Sequence, residues 1–440
     1  STAQHISGYL PKSQSGLHRF LPRHIDIYVK QNQSRKIISC TDFDLCQKNT
    51  SRQWLFLLQK TMKEPSYASS DKRIIWLDLV KFIAIFMMIA VHCTDNVTPA
   101  ERSEPWYNLW GSFYGSFMRP AIPLFVMVTG ALLLPVRENL STFYGKRLTR
   151  IVVPFLIWSV LYNLFPWITG LLGLSPTVIN DFFAWAEPDQ SFSGALHHIL
   201  MIPFNFSLLA VQMWYVYLLI GLYLYMPIFS AWVRQASVRE QRFFLLLWFV
   251  SLFIPYLREY LTKDLWGTCS WNEFGLLYYF AGFNGYLLLG HYLINNPVNI
   301  SWSRLIALGL PVFITGYCIT FLGFKSVTAV PGQPVELVEL FFTYCSPNVL
   351  MMTLPLFLAM QKVKIRSERT RRFAVNISTC TLGIWMSHYL FLGPCYMLVE
   401  SLPIHTMLKM IVCTILLLSV TWIFVYAVRK SGNIGRWIMG

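Results

Sequence analysis

Ile74-Ile75-Trp76-Leu77-Asp78-Leu79-Val80-Lys81-Phe82-Ile83-Ala84-Ile85-Phe86-Met87-Met88-Ile89-Ala90-Val91-His92 is apolar over almost its whole length, yet it carries an Asp, a Lys and a His. A helix that crosses a bilayer needs about 20 mostly apolar residues, and this stretch supplies them. At about 100° per residue, the steps from Lys81 to His92 rotate roughly 1100°, about 20° past three full turns. Both side chains therefore face one way, about 16 Å apart along the axis. Asp78 lies three residues before Lys81, on nearly the same face and at ion-pair spacing. An ionisable group at bilayer depth costs about 2.5–3.5 kcal/mol on insertion scales, so a stripe of three points to function. The alternative is that Lys81 snorkels to the cytoplasm, Asp78 neutralises it and His92 rests among the outer headgroups.

The rest of the chain fits the same solvent. Its 440 residues are 55% hydrophobic and 13% charged, about half the charge of a soluble domain. Aromatic residues make up 16%, as expected of interfacial belts. Ten apolar spans are expected, at roughly 74–94, 113–135, 151–171, 208–229, 243–257, 274–293, 303–323, 339–361, 376–398 and 405–428. With residues 71–73 in the cytoplasm and the chain alternating, nineteen Lys or Arg fall in inner segments. Only Arg102, Arg258, Lys263 and Lys325 fall outside, with Lys409 just within the outer end of the last span. That bias predicts an even number of crossings with both ends inside. It also explains the net charge of +15 without any nucleic-acid partner. The fold class is thus all-α, a polytopic membrane protein of about ten helices with both termini cytoplasmic. Residues 1–70 read as a polar extension, 71–432 as the membrane domain and 433–440 as a cytoplasmic tail. Met62 is a candidate natural start, which would make residues 1–61 an extension or start-site artefact; a disordered tail is the other reading. Nine scattered cysteines, with neither CxxC nor zinc-like Cys/His spacing, indicate no metal site and no disulfide framework.

Other polar groups interrupt the spans. Arg119 lies in the outer half of the second span, followed by Pro120 and Pro123, which loosen a helix and free backbone carbonyls. His92, Arg119 and His388 sit at similar expected depth and are candidates to line one outward-facing cavity. On the inner side, Tyr144-Gly145-Lys146-Arg147-Leu148-Thr149-Arg150 leads into the third span. Three cations at a helix start suit a phosphate-bearing ligand, but charge alone favours the reading as a positive-inside anchor. The inner loop 362–372, with six Lys or Arg, has the same two readings and could also favour anionic lipid.

At these residues the chain resembles the membrane acyltransferase-3 family. Lys81-x10-His92 is similar to the family's Arg/Lys-x10-His motif. The likeness continues through Arg119-Pro-Ala-Ile-Pro-Leu-Phe-Val-Met-Val-Thr129-Gly130, Phe143-Tyr-Gly-Lys146-Arg147-Leu-Thr-Arg150-Ile-Val-Val-Pro154 and Met213-Trp214-Tyr215-Val-Tyr217. It resumes at Gly285-Tyr-Leu-Leu-Leu-Gly290 and Gly383-Ile-Trp-Met-Ser-His388, covering about 70–430 in order. The Arg-Pro-x-x-Pro variant is similar to the surface-polysaccharide branch, which includes the O-acetyltransferase of enterobacterial common antigen. Two departures stand out. Gln212 occupies a position where the family often has His, and Thr129-Gly130 replaces a usual Ser-Gly pair.

The resemblance implies a multi-pass protein of a bacterial inner membrane that moves an acyl group, usually acetyl, from acyl-CoA to an exported saccharide. It assigns His92, Lys81 and Asp78 to catalysis, and Lys146, Arg147 and Arg150 to the acyl-CoA phosphates. Arg119, His388, Trp214 and Tyr215 fall to substrate binding. The expected partners are the bilayer, acyl-CoA as donor substrate and a glycan acceptor, with no permanently bound cofactor and no metal. A proton-coupled secondary transporter is the runner-up, since intramembrane Asp, Lys, Arg and His also form proton relays. It would call for paired broken helices and internal symmetry, and neither is visible in the sequence. A polysaccharide polymerase or flippase is third, and the modest outer segment 172–207 argues against it.

Overall fold

The computed structural model describes residues 73–95, 105–183, 186–272, 275–330 and 332–440. The extension 1–70 and its candidate start lie outside the described residues. Helices dominate, and the described residues contain no strand beyond an isolated bridge between Cys269 and Asn272. The protein is an all-α polytopic membrane protein.

The founding stretch forms α1, Ile75–Asp95. Leu77, Val80, Ala84, Ile85, Met88 and Ile89 are buried around much of its circumference. It packs against α2 (Pro105–Phe117), α3 (Ala121–Leu133), α13 (Pro347–Lys362), α14 (Glu368–Glu400) and α15 (Thr406–Lys430). The remaining helices in order are α4 (Leu140–Leu171), α5 (Thr177–Phe182), α6 (Phe192–Met201), α7 (Trp214–Gln235), α8 (Val238–Ser251), α9 (Ile254–Tyr260), α10 (Asn284–Asn295), α11 (Trp302–Thr328), α12 (Val335–Val338) and α16 (Asn433–Met439). By contrast with α1, α11 exposes Ile306, Leu308, Leu310, Ile314 and Leu322. Such a surface is stable only against hydrocarbon.

The second expected span breaks where its prolines stand. Met118, Arg119 and Pro120 form a turn between α2 and α3. Pro120 occupies the N-cap of α3, and Pro123 falls in its first turn, where a missing N–H leaves no ladder bond unmade.

Among the described residues, nine helical segments are long and apolar enough to cross a membrane. The sixth of the ten expected spans, 274–293, is the exception. Gly275 and Gly282 adopt positive φ (+65° and +84°), which ends helical geometry, and only α10 remains. Its twelve residues reach about 18 Å, short of a hydrocarbon core of about 30 Å. Yet α10 must still carry the chain across. Lys81 near the start of α1, Leu133 at the end of α3, Arg147 near the start of α4 and Ser378 in the first third of α14 line one cavity. Val136 N, just after α3, donates to Ser230 Oγ near the end of α7 at 2.9 Å, so these helices alternate in direction as the charge bias requires. An even number of crossings must then separate α7 from α14, and α10 is needed to make the number even. Its end lies beside the ends of its neighbours: His291 Nδ1 is 3.0 Å from the Leu134 carbonyl, and Arg242 donates to Tyr292 Oη at 2.7 Å. At its start, Tyr286 donates to the Tyr344 carbonyl at 2.9 Å and Trp248 to the Gly282 carbonyl at 2.8 Å. Irregular backbone at membrane depth is tolerated where protein satisfies it, and these bonds do so.

Two glycines let α10 lie directly on α3. A Cβ on Gly130 would overlap the Leu287 carbonyl, and one on Gly290 would overlap the Met127 carbonyl. Small residues at a crossing allow backbones this close approach. Within 433–440, expected to be a cytoplasmic tail, Asn433–Met439 form α16, packed on α4, α14 and α15. The Trp158 indole donates to the Ile438 carbonyl at 3.0 Å, and Met439 is buried.

Candidate active site

Two cavities meet inside the bundle. The larger, about 220 Å³, is lined by Lys81, Arg147, Arg150, Tyr215, Tyr223 and Trp385 among others. Among its described lining residues there is no carboxylate. Arg147 Nε is buried without a hydrogen-bond partner, and a buried guanidinium N–H left unmade is costly unless a ligand supplies the acceptor. This cavity therefore favours an anion. Lys146, expected to join the same cluster, is 54% exposed and bonded at 2.8 Å to Glu138. Successive helical residues diverge by about 100°, which turns Lys146 away from the face shared by Arg147 and Arg150.

Asp78 is 4% exposed and sits in the first turn of α1, where the helix dipole favours a carboxylate. The spacing suggested Lys81 as its partner. Instead, Arg73 from just before the helix grips both oxygens at 2.7 and 2.8 Å, and Ser378 donates at 2.5 Å. Such a bidentate pair is neutral overall and ties α1 to α14. Lys81 is left to face the cavity. Asp78 is thus a structural anchor one step removed from the cavity wall. Asp78→Ala is expected to cost about 2–4 kcal/mol, because it strands the Arg73 guanidinium. A melting curve in detergent checks this, and an unchanged midpoint would remove Asp78 from the anchoring role.

The smaller cavity, about 20 Å³, is lined by His92, Trp214, Tyr344 and Trp385, with Met88, Val91, Ala121 and Ile122. His92 Nδ1 is 3.3 Å from Tyr389 Oη, and its ring centroid is 5.1 Å from those of both His388 and Tyr389. His388 is fully buried. Its Nδ1 lies 2.8 Å from the Trp385 carbonyl and 3.1 Å from that of Ile384. A carbonyl only accepts, so Nδ1 carries the hydrogen, and in the neutral ring Nε2 keeps its lone pair. That Nε2 is buried with no partner. The outer cluster therefore offers a proton acceptor beside His92, with Tyr389 fixing the His92 ring.

Arg119 is 7% exposed, and its Nε donates to the Gly115 carbonyl at 3.2 Å. Its guanidinium carbon lies 3.8 Å from the centre of the Phe342 ring, a cation–π contact that holds the charge in place. It is the middle residue of the turn between α2 and α3, two positions before Ala121, which with Ile122 lines the His92 cavity. Trp214 and Tyr215, adjacent in sequence, serve opposite cavities. Trp214 stacks on Tyr344 at 5.7 Å beside His92, whereas Tyr215 lines the cationic chamber.

Arg73, Tyr344, Trp385 and Tyr389 were not legible as site residues. Tyr389 follows His388 directly and Trp385 stands inside the Gly383–His388 motif, but neither placement marks a side chain that faces a cavity.

Among known proteins, the acyltransferase-3 family model, described as an acyltransferase domain, matches residues 74–426. No curated protein and no solved structure matches the chain. The match takes in α1 with Lys81 and His92, the Arg147 and Arg150 helix start and the His388 helix, and so spans both cavities. The chain belongs to the membrane acyltransferase-3 family, and it is an acyltransferase.

Proposed function

We propose that this enzyme moves an acetyl group from cytoplasmic acetyl-CoA to a hydroxyl of an exported or cell-surface glycan, within a bacterial inner membrane. One observation carries the reading: a cationic chamber and a histidine cavity abut inside one bundle. The chamber lies on the side that the Lys and Arg bias assigns to the cytoplasm, and Arg147 and Arg150 would hold donor phosphates there. Lys81 extends the positive charge inward along the same chamber. The acyl end then reaches His92.

The acceptor hydroxyl gives its proton to an imidazole nitrogen of His92 as its oxygen bonds to the thioester carbonyl carbon. The tetrahedral oxyanion collapses, the carbon–sulfur bond breaks, and the departing CoA thiolate takes the proton back. Arg119 contributes fixed positive charge on the histidine side. The lone pair on His388 Nε2 supplies a second proton acceptor. An acceptor of the surface-polysaccharide kind agrees with the Arg119-Pro-x-x-Pro variant, and Gln212 in place of His is the feature that would distinguish its acceptor from those of relatives.

Purified protein in nanodiscs, given acetyl-CoA labelled in the acetyl group, tests the donor side. Arg147→Ala is expected to raise the KM for acetyl-CoA by about 10–100-fold, the effect of losing one charge-assisted contact. Unchanged binding of acetyl-CoA by an Arg147→Ala, Arg150→Ala double variant would sink the assignment of the chamber. On the acceptor side, surface glycans from cells with and without the gene should differ by one ester.

A further inference from the structure

The two cavities have one wall in common. Among the described residues lining them, Trp385 alone faces both. Its indole is fixed on three sides. Nε1–H donates to the Gln212 carbonyl at 2.9 Å, the Tyr215 ring lies 4.4 Å away and the Phe125 ring meets it edge-on at 5.7 Å. Gln212 itself is fully buried, in the 3-10 turn Leu208–Met213 that leads into α7. A ring bonded at one edge and held by two neighbouring rings is a fixed wall common to both cavities, and the one on the His92 side is small. Its volume of about 20 Å³ is little more than the space one water-sized group needs.

Resting on the donor reading above, we propose that Trp385 sets the length of the acyl group that the enzyme transfers. The carbonyl carbon must arrive beside His92, so the alkyl tail of the acyl group has to fit between His92, Met88, Ala121 and the Trp385 indole. A methyl group fills that space. Each further methylene must displace one of these walls. Hydrophobic pockets discriminate by about 10–200-fold per methylene when the walls do not yield. The Gln212 and Tyr215 contacts keep the Trp385 wall from yielding. The selectivity thus lies in the partition and not in the wide chamber of about 220 Å³ that precedes it.

The test compares acetyl-, propionyl- and butyryl-CoA as donors for the full-length protein in nanodiscs. Wild type is expected to prefer acetyl-CoA by at least about tenfold in kcat/KM over propionyl-CoA. Trp385→Leu removes the indole but keeps the site apolar, and should raise the butyryl-to-acetyl ratio by about tenfold or more. Met88→Ala enlarges the same cavity from α1 and leaves the Gln212 bond intact, so it decides the matter should Trp385→Leu not fold. Ala121→Val works in the opposite sense and should deepen the preference for acetyl. An unchanged ratio in folded, active Trp385→Leu and Met88→Ala proteins overturns the role of this wall while leaving the donor reading standing. Wild-type protein that transfers nothing from any of the three donors overturns both.

Discussion

Replacing His92 with Ala is expected to lower acyl transfer by about 10²–10⁴-fold, the usual contribution of a positioned general base. The variant should still fold. His92 contributes no helix cap and no ion pair among the described residues. Its one hydrogen bond among the described residues, to Tyr389 Oη, is 3.3 Å long. The measurement is a single-turnover assay with labelled acetyl-CoA beside a melting curve of the same sample. Transfer within a few-fold of wild type would move the chemistry to another group, and the free lone pair of His388 Nε2 would be the first candidate. Arg147→Ala supplies the contrast, since it should act on KM and leave the rate at saturating donor nearly intact. The two variants therefore separate the chambers kinetically.

Gly290→Ala is expected to be the most damaging small change in the membrane domain. Its new methyl would meet the Met127 carbonyl, which belongs to helix backbone and has no rotamer to escape into. Overpacking of a flexible neighbour costs about 1–3 kcal/mol. Separation of two helix backbones should cost at least the top of that range. α3 would move with it, and α3 carries Thr129 and Leu133 of the cationic chamber and Ala121 of the histidine cavity. Folded yield and transfer rate should fall together. Gly221→Ala in α7 is the control, because nothing lies within 4 Å of a Cβ there, and it should be neutral or slightly stabilising. Equal behaviour of the two variants would mean that the α3–α10 crossing is not tightly packed.

The stripe on α1 was legible because helical geometry is arithmetic. Lys81 and His92 do share a face, and they open onto the two cavities that Trp385 separates. The same arithmetic missed the partner of Asp78, because it considers only residues within the helix. Arg73 precedes α1 and reaches forward onto its first turn. Hydropathy located nine of the ten spans but overran the sixth, since Phe280, Ala281 and Phe283 look as apolar in a turn as in a helix. Positive φ at Gly275 and Gly282 was the deciding fact, and a run of apolar residues conceals it. Trp385 was present in a motif that the sequence offered, but its bond to the Gln212 carbonyl joins residues 173 apart and no local pattern records it. Lys146 was grouped with Arg147 and Arg150 by charge alone, although one helical step separates it from their face.

The distance along the chain between His92 and Tyr389, 297 residues, has a consequence for biosynthesis. Ribosomes add about 5–20 residues per second, so α1 is made roughly 15–60 s before the helix that completes its surroundings. Through that interval its polar stripe must be tolerated by the insertion machinery and lipid without α14. The Arg73–Asp78 pair joins residues only five apart and is available from the first moment. It converts two charges into a neutral unit before α14 exists, leaving Lys81 as the charged residue of the stripe that waits. α1 thus arrives with a provisional counter-ion, and Ser378 joins it when α14 is threaded in.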